Sequence, residues 1–297
     1  MAEYPGLRHR IVNGVLFSLS LLPWSLLTFL GATLGRLAYV LARRPRRCAM
    51  INVSLCFPAL SLRERRKLVF RHFVAMGETI FGGVRLWWAP ASEIRQRIRY
   101  SERTSYDNAA REGRNIILLA PHFIGLEIGG LLISLDTPCV SMYRPFDTVL
   151  ANVIQRRRER FGIALWRNDG PLRALVRSIQ TGKPFYYLPD INPGDADAVD
   201  APFFGIPTPT LTALARIARL TNAVVLPCFT RKLPGTGGFE VIIRPALANF
   251  PTGDPLVDAT CMNAAIEEGI RLIPDQYLWT YKRFKNLTVN GVSVYRR

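Results

Sequence analysis

The run Ile116-Ile-Leu-Leu-Ala120 sets the tightest limit on what this chain can become. It is uncharged, rich in branched side chains and free of polar alternation, so it reads as a strand covered on both faces. Such a strand belongs in a mainly parallel sheet with helices on either side. Pro121 ends it, and Ile128 to Leu135 reads as the helix that follows. Between them stand Glu127 and His122, one of only three histidines in the chain. On a continuous helix, five residues turn about 500° and leave two side chains roughly 140° apart. The pair meets only if His122 lies in the turn and Glu127 in the first helical turn, which makes this a strand–turn–helix corner. An imidazole serves as a base once a carboxylate on its far nitrogen fixes its tautomer and orientation. A helix N-terminus beside it favours an anionic Glu127 and a developing oxyanion.

From residue 115 onward strands and helices alternate. Cys139 to Tyr143 is strand-like, 148–160 helical and rich in arginine at its end, 163–166 a strand and 171–180 a helix. Phe185 to Asp190 is a strand that delivers an aspartate, and 191–209 reads as a loop. Helices over 210–220 and 255–273 and strands over 223–230 and 239–244 complete the pattern. The expected fold is α/β, a mainly parallel central sheet flanked by helices, with an α/β core over 113–285. Functional groups in such sheets gather at the C-terminal strand ends. His122, Arg144 and Asp190 all fall there.

Ahead of that core, residues 48–112 are helical in composition, and Ser61 with Glu64 three residues later forms a capping-box signature. Residues 11–35 carry no charge, which is long enough to cross a hydrocarbon core of about 30 Å. Pro23 near the middle leaves a straight span and a bent hairpin both open. Residues 1–47 are therefore expected to be a membrane anchor with a basic flank. The heavier positive flank is C-terminal, at Arg36, Arg43, Arg44, Arg46 and Arg47, which places the rest of the chain in the cytoplasm.

The formal charge of +17 suits an anionic partner. Nucleic acid is one, but no helix-turn-helix, zinc finger or aromatic RNA-binding motif accompanies the charge, and the apolar run would be left unexplained. Five scattered cysteines, without CxxC or Cys/His ligand spacing, read as small buried hydrophobes and not as disulfides or a metal site.

Several short motifs, taken together and in order, resemble the late lipid A acyltransferase family of Gram-negative inner membranes, within the lysophospholipid acyltransferase superfamily. They are His122-Phe-Ile-Gly-Leu-Glu127, Tyr143-Arg144-Pro145, the arginine-rich segment 156–160, Pro189-Asp190, Pro202-Phe-Phe-Gly205, and Gln276-Tyr-Leu-Trp279 with Arg283-Phe-Lys285. The likeness runs from the apolar anchor to about residue 285. One departure is Asp190-Ile-Asn192, where family members often carry a second aspartate.

The resemblance implies transfer of an acyl chain from an acyl carrier protein thioester to a hydroxyl of a lipid A precursor, on the cytoplasmic face of the inner membrane, without a cofactor or metal. His122 would be the general base and Glu127 its orienting carboxylate. Arg144 and Arg158 would bind sugar phosphates through bidentate hydrogen bonds. Asp190 would orient a substrate hydroxyl or pair with one of these arginines. An acyltransferase acting on another lipid acceptor, or drawing on acyl-coenzyme A, is the nearest alternative, and a non-catalytic membrane protein a more distant one.

Overall fold

The structure is a computed structural model that describes residues 6–143, 148–167, 170–191 and 197–296, without the side chain of Arg158. Its centre is a seven-stranded sheet. The strands are β1 (Ile98–Glu102), β2 (Asn115–Leu119), β3 (Val140–Tyr143), β4 (Ala164–Arg167), β5 (Phe185–Tyr187), β8 (Ala223–Lys232) and β9 (Phe239–Ile243). A separate hairpin, β6 (Ala198–Phe203) and β7 (Ile206–Leu211), lies between β5 and β8 in the chain. The sheet order is β1-β9-β8-β2-β5-β3-β4. From β8 to β4 all neighbours are parallel; β9 runs antiparallel to β8, and β1 parallel to β9. The sheet is thus mainly parallel, and five strands point their C-terminal ends the same way.

β2 sits at the centre, and its side chains divide between two cores. Ile117 and Leu119 enter one apolar cluster, Ile116, Leu118 and Ala120 the other, and all five are buried. An uncharged run without alternation is what a strand with a core on each face requires. The first cluster continues through Phe185, Tyr187, Val225 and the C-terminal Trp279 and Phe284. The second continues through Ile128, Leu131 and Leu132 of helix α7 (Leu126–Asp136).

Among the described residues five helices precede the sheet: α1 (Leu7–Ser20), α2 (Trp24–Leu41), α3 (Arg43–Cys56), α4 (Leu62–Trp88) and the short α5 (Ala91–Arg97). The uncharged run is therefore broken just before Pro23 into two helices. Of these α2 is long and apolar enough to cross a membrane, with a mean hydropathy of 1.3. The capping box at the start of α4 is present, Ser61 accepting from the Glu64 amide and Glu64 from the Ser61 amide.

Two segments differ from expectation. The helical lead-in over 48–112 is interrupted by a strand, β1, before its last helix (Thr104–Arg111), and the pairing partner of that strand, β9, lies about 140 residues further on. Within 191–209, residues 198–203 form a strand that pairs antiparallel with 206–211 instead of staying a loop. Pro202, Pro207 and Pro209 argue against a central strand, but a two-stranded ribbon has only edges, where a missing N–H is tolerated. Helix α11 (Pro255–Leu272) holds the ribbon, Asn263 donating to the Pro202 carbonyl and Glu267 accepting from the Phe204 amide.

Candidate active site

His122 and Glu127 occupy the corner that their spacing predicts. His122 lies in the turn after β2, and Glu127 in the first turn of α7. Glycine lets that helix approach the sheet. A Cβ at Gly125 would stand 2.9 Å from the Thr230 carbonyl oxygen of β8, and one at Gly129 would overlap the Thr230 side chain. Larger residues at either position would push α7, and Glu127 with it, away from the strand ends.

The carboxylate on Nδ1 of His122 is Asp190. Spacing within one segment assigns that bond to Glu127, whereas the fold assigns it to a residue from another strand. Asp190 Oδ1 lies 2.7 Å from Nδ1, and Oδ2 accepts the backbone N–H of His122 at 2.9 Å. The sheet register explains the meeting. β2 and β5 are parallel neighbours with Leu119 opposite Tyr187, so His122 and Asp190 stand at the same step beyond paired residues. An ionised carboxylate only accepts, so Nδ1 carries the proton and Nε2 is left as the basic nitrogen.

The electrostatics agree with an ion pair. Burial alone would lower the pKa of His122, but the charge and hydrogen bond of Asp190 outweigh it, and the charge of Glu127 adds to them, so the net shift is upward. Burial would raise the pKa of Asp190; the charge of His122 and hydrogen bonds from His122 and Tyr277 overcome it and hold the carboxyl below its ordinary value. Asp190 is 2% exposed, so these partners stand in for the water it has lost.

The C-terminal segment holds this pair in place. The Leu278 N–H donates to the His122 carbonyl at 2.9 Å, and the Ile124 N–H to the Gln276 carbonyl at 2.8 Å. The side chain of Gln276 joins Lys232 of β8 through both its backbone groups, at 2.7 and 2.9 Å. Tyr277 is buried and hydrogen-bonds Asp190. The sequence marks this segment as a motif but does not reveal its work, because its partners His122, Ile124, Asp190 and Lys232 all belong to distant parts of the chain.

Beside Glu127 lies a narrow, largely apolar cleft, part of it open to solvent. Its walls include Leu131, Ile163, Leu165 and Leu188, with Gly130 and Tyr186 between them, and among the described residues Glu127 is the one carboxylate that lines it. Arg144 lies outside the described residues, as does the side chain of Arg158. Among the described residues no group of three or more His, Cys, Asp or Glu side chains is gathered as a metal site. All five cysteines are free thiols, four of them buried.

The sequence model for bacterial lipid A biosynthesis acyltransferases matches residues 6–286. The chain belongs to that family. It is an acyltransferase of lipid A biosynthesis. Among its relatives is the lipid A biosynthesis palmitoleoyltransferase of Escherichia coli K12, 31% identical over 95% of this chain and 92% of the relative. The lauroyltransferase of the same strain is 30% identical over 92% and 89% of the two chains, and the myristoyltransferase 28% identical over 90% and 83%. The matched span takes in both the N-terminal helices and the segment that braces His122.

Proposed function

We propose that the acyltransferase moves a fatty acyl chain from an acyl carrier protein thioester to a hydroxyl of a lipid A precursor, with His122 as general base. The observation that carries this reading is the Nδ1–Asp190 bond, which leaves Nε2 of a fixed imidazole free to receive a proton. The acceptor hydroxyl attacks the thioester carbonyl carbon while its proton passes to Nε2. The C–S bond then breaks, and the departing thiolate recovers that proton from the imidazolium. An alcohol whose pKa lies far above 7 needs such a base, worth about 10² to 10⁴ in rate.

Asp190 fixes the tautomer and balances the imidazolium. Glu127 adds its charge to the same imidazole from the helix, and it stands where the apolar cleft begins to accept the acyl chain. A direct attack within a ternary complex needs neither a serine elbow nor a thiolate. Burial raises the pKa of each of the five thiols, to about 11 at Cys48 and about 12 at Cys139 and Cys228, so none is a ready nucleophile at neutral pH. Arg144 and Arg158 remain candidates for the sugar phosphates, and a net charge of +17 favours both an acidic carrier protein and a phosphorylated lipid. The site of action in this reading is the cytoplasmic face of the inner membrane.

The test is transfer from a panel of radiolabelled acyl carrier protein thioesters to purified tetra-acylated lipid A precursor in detergent micelles. Wild type should transfer, while folded His122→Ala and Glu127→Ala should lose turnover. Full activity in His122→Ala would end the general-base assignment. No transfer by folded wild type, with any donor in the panel, would reject this donor and acceptor.

A further inference from the structure

The two N-terminal helices leave an apolar face uncovered. On α2, the exposed Leu26, Phe29, Leu37 and Val40 fall within about 80° of arc, and Phe29 and Val40 are 64% and 61% exposed. On α1, the exposed Leu7, Ile11 and Val15 form a stripe of similar width. The other side of α2 is closed against α4. A Cβ at Gly31 would stand 2.6 Å from the Gly77 carbonyl oxygen, and one at Gly35 would overlap the Phe73 carbonyl. Tyr39 packs its ring on Phe70 and Phe73 at 5.3 and 5.9 Å, and Trp24 closes the far end near Gly82. The helix thus runs antiparallel along α4 over nearly its whole length.

α4 is itself tied into the sheet domain. Glu78 pairs with buried Lys232 at 2.8 Å, Arg71 lies 3.7 Å from Asp275, and Arg85 pairs with Glu93. Were α2 to cross a bilayer in this packing, α4 and its ion pairs would be carried into the hydrocarbon, where charged side chains are costly. Residues 4–63 meanwhile hold eight arginines and no Asp or Glu, and Arg36, Arg43, Arg44 and Arg47 are exposed.

We infer that α1 and α2 both lie in one leaflet of an anionic phospholipid bilayer, with their uncovered apolar stripes in the acyl region, the flanking arginines among the phosphates, and α2 not spanning. An amphipathic face combined with a basic flank is the chemistry of interfacial attachment. The attachment brings the site close to lipid. A Cβ at Gly83 of α4 would stand 3.2 Å from Ile128 of α7, so the helix that carries Glu127 packs on the one that carries α2. Helix α8 (Val149–Glu159) also reaches α1, Arg157 donating to Asn13 at 3.2 Å. This inference is independent of the donor, the acceptor and the role of His122.

The test is the immersion depth of nitroxides at Leu26→Cys, Phe29→Cys, Leu37→Cys and Val40→Cys, one at a time in a Cys261→Ser background. The full chain would be bound to equimolar phosphatidylglycerol and phosphatidylethanolamine vesicles. A spanning helix separates positions 26 and 40 by about 21 Å along the membrane normal at 1.5 Å per residue. An in-plane helix keeps all four labels at similar, shallow depth, which is the expected result. Depths that pass through the bilayer centre would overturn the inference. A Phe29→Glu/Leu37→Glu variant, whose changes touch only the uncovered face, should lose vesicle partitioning at least tenfold with its unfolding midpoint unchanged. Unaltered partitioning of that variant would equally refute it, as would failure of the wild-type chain to bind these vesicles.

Discussion

Replacing Asp190 by Asn tests the site at the point where the structure departs from local spacing. Asp190 accepts two donors from one residue, Nδ1–H and the backbone N–H of His122, each through its own oxygen. Asn offers one oxygen and one NH₂ in the same shape, so it can satisfy only one of them. With the oxygen on Nδ1–H, the NH₂ faces the His122 amide and a charge-assisted bond is lost. That bond is worth ~1.5–3 kcal/mol, or about 10- to 160-fold in kcat at 1.36 kcal/mol per decade. With the amide reversed, NH₂ donates to Nδ1, the imidazole proton moves to Nε2, and the base contribution of ~10²–10⁴ disappears. Either way kcat should fall by an order of magnitude or more.

The pH profile distinguishes this from a loss of fold. His122 must be neutral to act as a base, so activity rises with pH through its pKa, which Asp190 holds above the ordinary 6.5. Without that carboxylate, burial dominates and the acid limb should move below 6.5. His72 shows the direction: fully buried, with a backbone carbonyl on Nδ1, it is pushed down to about 4. The assay is kcat against pH for wild type and Asp190→Asn, with near-ultraviolet circular dichroism to check packing. A folded variant within about threefold of wild type, with an unmoved acid limb, would refute the assignment of Asp190 as the orienting group.

Tyr277→Phe removes one donor from Asp190 and leaves both His122 bonds; a single bond of ~0.5–1.5 kcal/mol predicts a loss of about 2- to 13-fold in kcat, with KM little changed. The lowered pKa of His72 sets a pH dependence of stability: between 6.5 and about 4 the unfolded chain binds a proton that the folded one refuses, so stability falls as pH falls. At 1.36 kcal/mol per unit this amounts to about 3 kcal/mol, and denaturant unfolding should show that slope in wild type and lack it in His72→Gln. Gly130 lines the apolar cleft, and an added Cβ would meet Tyr186 at an ordinary 3.6 Å; Gly130→Leu therefore fits at its first atom and fills the cleft beyond, which should shift preference towards shorter acyl donors in the thioester panel.

Much of the frame was legible in the chain. An uncharged β2 without alternation specified a strand with a core on each face, and Pro121 with the spacing of His122 and Glu127 specified the corner that follows. Those are local matters, decided by side-chain character within a dozen residues. The pairing of His122 with Asp190 was not local. Between them the chain lays down β3 and β4, then returns β5 to the place beside β2, so two residues 68 apart become neighbours. The brace from Gln276 to Leu278 and the pairing of β1 with β9 rest on contacts of the same kind. The sequence by itself determined where β2 ends, which residues with acid–base chemistry follow it, and that the N-terminal run is apolar and uncharged. Only the tertiary structure decided which carboxylate meets the imidazole and which side of α2 stays uncovered, because both depend on strand order and on glycine-spaced helix packing, and periodicity encodes neither.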